Sequence, residues 1–188
     1  MATLTYPDPE LSDGVMSLRA WTRGDHEQRL AGFSDPLCQR FSWPHLEPFT
    51  ERHQLEWVYK QQEEARLRGE EIGFAIVDAT EPDLVWGGCS IYDVNPDQGR
   101  AGIGYWLAGH ARGHGIATRA VRELSRWTFA ELPIARLELT CAPDNLASQR
   151  VAERCGFTWE GVLRSHIPFK GARRDSILFS LLPTDFTP

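Results

Sequence analysis

The chain has 188 residues, of which 41% are hydrophobic and 24% are charged, and its net charge is −6. This length suits one substantial hydrophobic core and is short for two, and the composition is that of a globular protein rather than a disordered one. The negative charge argues against nucleic-acid binding as the main task, because neutralising phosphates requires a basic face. A cationic or amine substrate agrees better with it.

The cysteines and the apolar segments narrow the class further. Cys38, Cys89, Cys141 and Cys155 show no paired spacing, so we expect buried thiols in a reducing compartment and no metal site. No apolar run approaches the roughly 20 residues that span a bilayer, and the first residues lack a basic region followed by an apolar one. These features predict a cytoplasmic protein with no membrane partner.

The predicted elements begin after a lead-in. Residues 1–14 are rich in Pro, Asp and Ser and are expected to be loose, which leaves residues 15–188 as a single domain. Helices are predicted from Thr50 to about Gly69, after Gly115, and from Asn145 to Gly156. Strands are predicted at 16–20, 72–77, 84–94, 100–107, 137–141, 157–164 and 177–182. The order of these elements, with several strands first and then alternating strands and helices, indicates a mixed α+β or α/β sheet.

The segment 112–118 has the strongest functional signal. Its two glycines, Gly113 and Gly115, stand directly before a helix whose apolar residues recur at three- and four-residue steps. A helix N-terminus has about four N–H groups without an intrahelical partner and a partial positive charge, so it accommodates an anion. An ordinary glycine-containing turn from strand to helix gives the same local pattern.

Two other phosphate-binding motifs do not fit this segment. A P-loop requires Lys followed by Ser or Thr after its second glycine, and that Lys is missing. A dinucleotide-binding fingerprint requires Gly or Ala three residues after its second glycine, where this chain has Thr118 or, for the earlier glycine pair, Leu107. A nucleotide site of another kind stays open as an alternative.

Three segments in this order and spacing resemble the GCN5-related N-acetyltransferase (GNAT) superfamily, and more closely its RimJ/RimL-like branch. Arg112-x-x-Gly115-x-Ala117 fits the superfamily's pyrophosphate signature. Gly104-Tyr105-Trp106-Leu107 is similar to the preceding strand of the branch, and Asn145-x-x-Ser148 with Arg154-Cys155-Gly156-Phe157 is similar to its later segment. The resemblance covers nearly the whole chain. It implies a central, mostly antiparallel twisted sheet of about six to seven strands, flanked by helices and splayed at the acetyl-CoA site.

By this resemblance the chain moves an acetyl group from acetyl-CoA, or another short acyl-CoA, to a primary amine. The signature loop would hold the pyrophosphate through its main-chain N–H groups. Asn145 would contact pantetheine and the Ser148 hydroxyl would protonate the departing thiolate, although Asn145 is also a favoured helix N-cap with Ser148 at the N3 position. The implied cofactor-binding residues are Tyr105, Trp106, Leu107, Arg112, Gly113, His114, Gly115, Ile116, Ala117, Thr118, Asn145 and Ser148.

The resemblance does not supply a general base. Many relatives have Glu two residues before the Gly-Tyr-Trp sequence, where this chain has Gly102. Asp93 and Glu160 are the carboxylates considered as replacements, with His45 and His166 as alternatives, although a solvated or structural carboxylate is the commoner case. A non-catalytic acyl-CoA-binding module of the same fold is therefore the alternative function.

The acceptor site is expected between the early helices, including residues 41–45, and the loop after Leu163. A protein N-terminus and a small amino compound both fit, and the N-terminal amine needs less help from a base because its pKa is about 8 rather than about 10.4. Trp43 either forms a wall of this site or belongs to the core. Homodimers are common in the family, so a homodimer is considered as well.

Overall fold

The computed structural model describes residues 3–186, and these contain one sheet of eight strands. The strands are β1 (Leu11–Ser12), β2 (Met16–Arg19), β3 (Ile72–Asp78), β4 (Val85–Asn95), β5 (Arg100–Leu107), β6 (Arg136–Cys141), β7 (Thr158–Phe169) and β8 (Ala172–Leu181). Their order across the sheet is β1-β2-β3-β4-β5-β6-β8-β7. Every neighbouring pair is antiparallel except β5 and β6, which are parallel.

Six α-helices accompany the sheet in this part of the chain. They are α1 (His26–Phe33), α2 (Pro36–Phe41), α3 (Glu51–Glu56), α4 (Glu63–Leu67), α5 (Ile116–Glu131) and α6 (Leu146–Arg154). A π-helical segment, Trp57–Gln62, joins α3 to α4, and short 3₁₀ turns lie at Arg23–Asp25 and Gly109–Ala111. Between residues 3 and 186, none of the helices is both long enough and apolar enough to cross a membrane.

Helix α5 covers the core face of the sheet. Its buried residues Ala117, Ala120, Val121 and Leu124 follow the predicted three- and four-residue steps. Ala120, Val121 and Leu124 belong to one hydrophobic cluster with the inward side chains of β2 to β6, including Phe74. Burying each large apolar side chain contributes about 1.5–3 kcal/mol, so this face supplies most of the hydrophobic stabilisation.

The opposite face of the sheet is lined by small residues at its centre. Gly73 of β3, Ser90 of β4 and Gly104 of β5 are register partners, so they project toward the same side. An added Cβ at Gly73 would meet the side chain of Gln62 in the π-helical segment. The small residues therefore leave space between the sheet and the early helices.

Strands β5 and β6 separate part-way along their length. They pair only between residues 100–102 and 136–138. Beyond Gly102, β5 continues to Leu107 paired with β4 alone. This confirms the predicted splay, and it leaves one edge of β5 without a strand partner from Ile103 onwards.

Three predicted features differ from the structure. The lead-in is ordered from residue 3, because Leu4 is 7% exposed and its carbonyl accepts a hydrogen bond from Arg66. Strand β1 lies in the same lead-in, so the sheet has eight strands rather than six to seven; isolated apolar residues among Pro and Asp give no periodic signal. The polar residues 165–176, which separate the last two predicted strands, are mostly strand as well, with the turn between β7 and β8 at Lys170 and Gly171.

The predicted helix between Thr50 and Gly69 is present but irregular. Helices α3 and α4 form its two ends, and the π-helical segment Trp57–Gln62 forms its middle. Periodicity does not predict such a segment, because the apolar pattern of a π-helical turn is too short to be read. π-Helical turns occur frequently at functional sites.

Candidate active site

Two cavities meet where β5 and β6 separate. One, of about 350 Å³, lies over the signature loop at residues 112–118, and we call it the loop cavity. The other, of about 490 Å³, lies between the glycine-lined face of the sheet and the early helices, and we call it the sheet cavity. Six residues line both cavities: Phe41, Ser42, Tyr105, Trp106, Asn145 and Ser148.

The loop cavity contains a bare stretch of main chain. Gly113 and Gly115 have φ angles of 81° and 78°, a left-handed conformation that favours glycine. A Cβ at either position would meet no atom within 4 Å. Within residues 3–186, the main-chain N–H groups of residues 113–115 donate no hydrogen bond, and the first turn of α5 adds further free N–H groups. This geometry suits a phosphate group.

The structure brings nearly all of the predicted cofactor-binding residues to this cavity. Every one of them lines it except His114. The Arg112 side chain has a structural role, because its Nη2 pairs with Asp35 Oδ1 at 2.6 Å and donates to the Leu107 carbonyl at 2.9 Å. The Arg112 hydrogen bond also lowers the pKa of Asp35, which caps α2. The guanidinium thus fixes the loop, and main-chain groups face the cavity.

Tyr105 and Ser148 form a hydrogen-bonded pair at the junction of the cavities. The Tyr105 hydroxyl donates to Ser148 Oγ at 3.1 Å. Burial raises the pKa of Tyr105 to about 12, so the phenol stays protonated at neutral pH. The main-chain N–H of Ser148 donates to Asn145 Oδ1 at 3.2 Å, which caps α6. Asn145 therefore caps the helix and lines both cavities.

The far end of the sheet cavity has a cluster of three polar side chains for which the sequence predicts no role. Gln62 Nε2 donates to Glu71 Oε1 at 2.7 Å, and Arg29 Nη2 donates to Gln62 Oε1 at 3.2 Å. Burial raises the pKa of Glu71 and lowers the pKa of Arg29 to about 10. In the sequence, these residues stand in polar stretches and resemble solvated side chains, so nothing distinguishes them.

Aromatic rings form the wall above this polar end. The rings of Trp21 and Trp106 stack with centroids 6.2 Å apart, and the Arg29 guanidinium lies 4.1 Å from the Trp21 centroid. Trp43 is 5% exposed, packs against Phe33 and lines neither cavity, so it belongs to the core. Of the predicted acceptor region, Phe41 and Ser42 line both cavities.

The comparisons with known proteins assign this site to a family. Residues 16–158 match the family model of the acetyltransferase (GNAT) domain. The N-acetyltransferase p20 of Bacillus licheniformis is 32% identical over 159 residues, which cover 81% of this chain and 89% of that protein. The chain belongs to the GNAT family.

Two further similarities concern acetyltransferases of ribosomal proteins. The ribosomal-protein-serine acetyltransferase of Escherichia coli strain K12 is 34% identical over 84 residues, 45% of this chain and 46% of that protein. The structure of RimL, a ribosomal L7/L12 α-N-protein acetyltransferase, in complex with coenzyme A has a TM-score of 0.78 at 24% identity and covers 92% of this chain and 96% of that one. These matches confirm the resemblance to RimJ/RimL-like proteins.

This GNAT protein is an acetyl-CoA-dependent N-acetyltransferase that acts on an amine. The enzyme and its cosubstrate therefore agree with the sequence prediction, and the non-catalytic module is disfavoured. The fit of the cosubstrate is visible in the chain itself, because the loop cavity is lined by glycine main chain with open space beside it and by the N-terminus of α5.

The two carboxylates considered as bases lie in different surroundings in this acetyltransferase. Asp93 lines the sheet cavity at a bulge of β4, with a φ of 49°. Glu160 lines neither cavity; it accepts hydrogen bonds from Arg136 at 2.7 and 2.6 Å and from Ser180 at 2.6 Å. The Arg136 guanidinium lowers the pKa of Glu160 to about 2. A carboxylate held in this way is a poor proton acceptor, so the structure does not support Glu160 as the base.

The two histidines considered as alternative bases also lie away from the site. His45 packs against the Trp43 ring, with ring centroids 4.6 Å apart. His166 lies on β7, and neither imidazole lines the loop cavity or the sheet cavity.

Tyr92 explains the glycine at position 102 of this acetyltransferase. Tyr92 and Gly102 are register partners on β4 and β5, and a Cβ at Gly102 would collide with the Tyr92 ring. The ring thus occupies the space that a Glu side chain would need. Ile72 of β3 pairs with Ile91 of β4 in an antiparallel register. The adjacent residues Glu71 and Tyr92 are therefore also opposite each other, so Glu71 lies in the same row across the sheet as Tyr92 and Gly102. In this row the carboxylate is that of Glu71, next to β3, whereas the Glu of many relatives would stand at position 102 on β5.

Proposed function

We propose that acetyl transfer occurs by direct attack of a primary amine on acetyl-CoA while both substrates are bound. The observation that carries this proposal is the junction of the loop cavity and the sheet cavity at Tyr105 and Ser148. At this junction the pantetheine arm in the loop cavity can present its thioester to an amine that enters through the sheet cavity. Burial raises the pKa of Cys141 to about 11, so this thiol is protonated at neutral pH and is not suited to forming an acyl-enzyme.

The donor half of the site follows from the main chain. The N–H groups of residues 113–118 bind the pyrophosphate, and Asn145 with the free edge of β5 holds the pantetheine arm. Acetyl-CoA supplies the activated thioester. Main-chain N–H groups on the β5 edge stabilise the negative charge that develops on the carbonyl oxygen.

Ser148 acts on the leaving group. Its Oγ accepts the hydrogen bond of Tyr105, so its own hydrogen is available to the departing thiolate. Tyr105 fixes the direction of this hydroxyl from β5, across the splay from α6. Positioning of this kind supplies much of the rate enhancement of a direct transfer reaction.

The amine must lose a proton before it attacks. Asp93, the predicted residue, and Glu71, which the structure adds, both line the sheet cavity. Glu71 is the more buried of the two, and burial raises the pKa of its carboxyl toward neutrality. We propose Glu71 as the proton acceptor, reached from the amine through a chain of water molecules along the sheet cavity, and Asp93 as the alternative.

The acceptor is an amine. The homodimer and the cytoplasmic location stay predictions.

Thiol release from acetyl-CoA across a panel of primary amines tests the proposed function. We expect release that depends on the amine and saturates with both substrates. Tight binding of acetyl-CoA without amine-dependent release would contradict the proposal and support the non-catalytic module.

A further inference from the structure

We propose that the sheet cavity selects an acceptor whose carboxylate binds Arg29, at the end of the cavity opposite the thioester. The acceptor class is an aminocarboxylate in which several bonds separate the amine from the carboxylate. This inference rests on the proposed function and specifies the substrate of the same cavity.

Arg29 is a buried cation without an anionic partner. It lines the sheet cavity and is 4% exposed. Among residues 3–186, its Nη1 has no hydrogen-bond partner, and its contacts are the neutral amide of Gln62 and the ring of Trp21. A buried charge without a counterion is strongly unfavourable, so an unsatisfied guanidinium at a cavity calls for an anionic ligand.

The carboxylates around Arg29 are engaged elsewhere. Asp25 accepts hydrogen bonds from Arg19 at 2.7 and 2.8 Å, one to each oxygen. Glu71 is separated from Arg29 by Gln62, whose amide nitrogen faces Glu71 and whose amide oxygen faces Arg29. The protein itself therefore leaves the positive charge of Arg29 to be balanced by a ligand. A guanidinium recognises a carboxylate well because its donors match the two oxygens.

The floor of the cavity sets the length of the ligand. Gly73, Ser90 and Gly104 form one row across β3, β4 and β5. The Gln62 amide lies over Gly73 at one end, and Tyr105 follows Gly104 at the other. Neighbouring strands are about 4.8 Å apart, so about 10 Å separates the two ends of the row. An α-amino acid, with both charged groups on one carbon, is too short to span this row, whereas 6-aminohexanoate or glycylglycine is suitable.

Matched pairs of acids and amides test the role of the carboxylate. In the wild-type enzyme, we expect kcat/KM for 6-aminohexanoate and glycylglycine to exceed that of 6-aminohexanamide and glycylglycinamide by about tenfold or more, the effect of one charge-assisted contact. In Arg29→Gln the ratio of acid to amide should fall to about one, and this ratio is the readout because Gln62 connects Arg29 to Glu71. Arg29→Lys keeps the charge and should keep part of the preference.

A control variant removes a guanidinium elsewhere. Arg126 lies on α5, is half exposed, pairs with Glu123 and lines neither cavity. Arg126→Gln changes the net charge by the same amount as Arg29→Gln, and it should leave the ratio of acid to amide unchanged. If Arg29→Gln does not fold, the ratios in wild type and Arg29→Lys decide the question.

The outcomes separate this inference from the proposed function. Equal rates for acids and amides in the wild-type enzyme would overturn carboxylate recognition while leaving N-acetyl transfer intact. Faster acetylation of glycylglycinamide would overturn it in favour of a protein N-terminus, and faster acetylation of 1,5-diaminopentane would overturn it in favour of a polyamine. No thiol release with any amine would contradict the proposed function itself.

Discussion

Tyr105 Oη donates to Ser148 Oγ at 3.1 Å and so connects strand β5 to helix α6 across the splay of the sheet. The cap of α6 uses the main-chain N–H of Ser148 and the side chain of Asn145, not the Ser148 hydroxyl. Capping and the proposed protonation of the thiolate therefore depend on different atoms of Ser148 and can be separated by mutation.

Ser148→Ala should lower kcat by about 100-fold, the lower end of the range for a positioned proton donor. Acetyl-CoA affinity should change little, because the main-chain contacts persist. Tyr105→Phe should lower kcat by a smaller factor, since it loses only the orientation of the hydroxyl. Asn145→Ala is the capping control and should lower the free energy of unfolding by about 1 kcal/mol. Equal losses of kcat and affinity in Ser148→Ala would indicate a structural role instead.

Gly115→Glu should abolish measurable acetyl-CoA binding, because a carboxylate would enter the cradle where phosphate binds. Isothermal titration calorimetry measures the effect. Gly14→Glu is a matched control: Gly14 has a φ of 83°, and a Cβ there meets no atom within 4 Å, but it lies in an exposed turn and lines neither cavity. It has the same backbone strain and should keep wild-type affinity. If folded Gly115→Glu binds acetyl-CoA as tightly as wild type, the signature loop does not bind the phosphate.

Gly102→Ala should destabilise the protein by about 1–3 kcal/mol, because the new methyl group collides with the Tyr92 ring. Urea unfolding measures the change. In a Tyr92→Ala background the same substitution should cost much less, since the ring is gone, and the double-mutant cycle gives the coupling between the two positions. Equal costs in both backgrounds would show that the ring does not exclude a side chain at 102.

Glu160→Gln tests the carboxylate that sequence reasoning proposed as a base. The folded pKa of Glu160 is about 2, below its unfolded value, so its contribution is present above about pH 4.5 and is lost as the pH falls toward 2. Because the side chain is 35% exposed, solvent screening reduces this contribution to about 1 kcal/mol. Urea unfolding of wild type and variant should therefore differ at pH 7 and converge near pH 2, and kcat should not change. A large loss of kcat would instead indicate that Glu160 takes part in catalysis.

The donor half of the site was predictable and the acceptor half was not, for a physical reason. In the proposed site, residues 113–118 bind phosphate through main-chain groups, which require glycine and small residues at fixed spacing, so the requirement is visible in the sequence. The side chains of Gln62 and Glu71 come together from a π-helical turn and from the start of a strand. No rule of sequence spacing predicts that contact. Position 102 illustrates the limit: the glycine was visible, but the Tyr92 ring that requires it was not.

Glu71→Gln and Asp93→Asn identify the proton acceptor. Burial raises the pKa of Glu71, and a base is active when deprotonated, so wild-type kcat/KM should fall as the pH decreases through that raised pKa. This fall is the acidic limb of the pH profile. Glu71→Gln should lower kcat by about 100-fold and remove the acidic limb, whereas Asp93→Asn should keep it. Acetyl-CoA affinity is the control and should be equal in all three proteins, because neither carboxylate lines the loop cavity. Loss of the limb in Asp93→Asn alone would assign the base to Asp93, and an unchanged limb in both variants would mean that no single carboxylate accepts the proton.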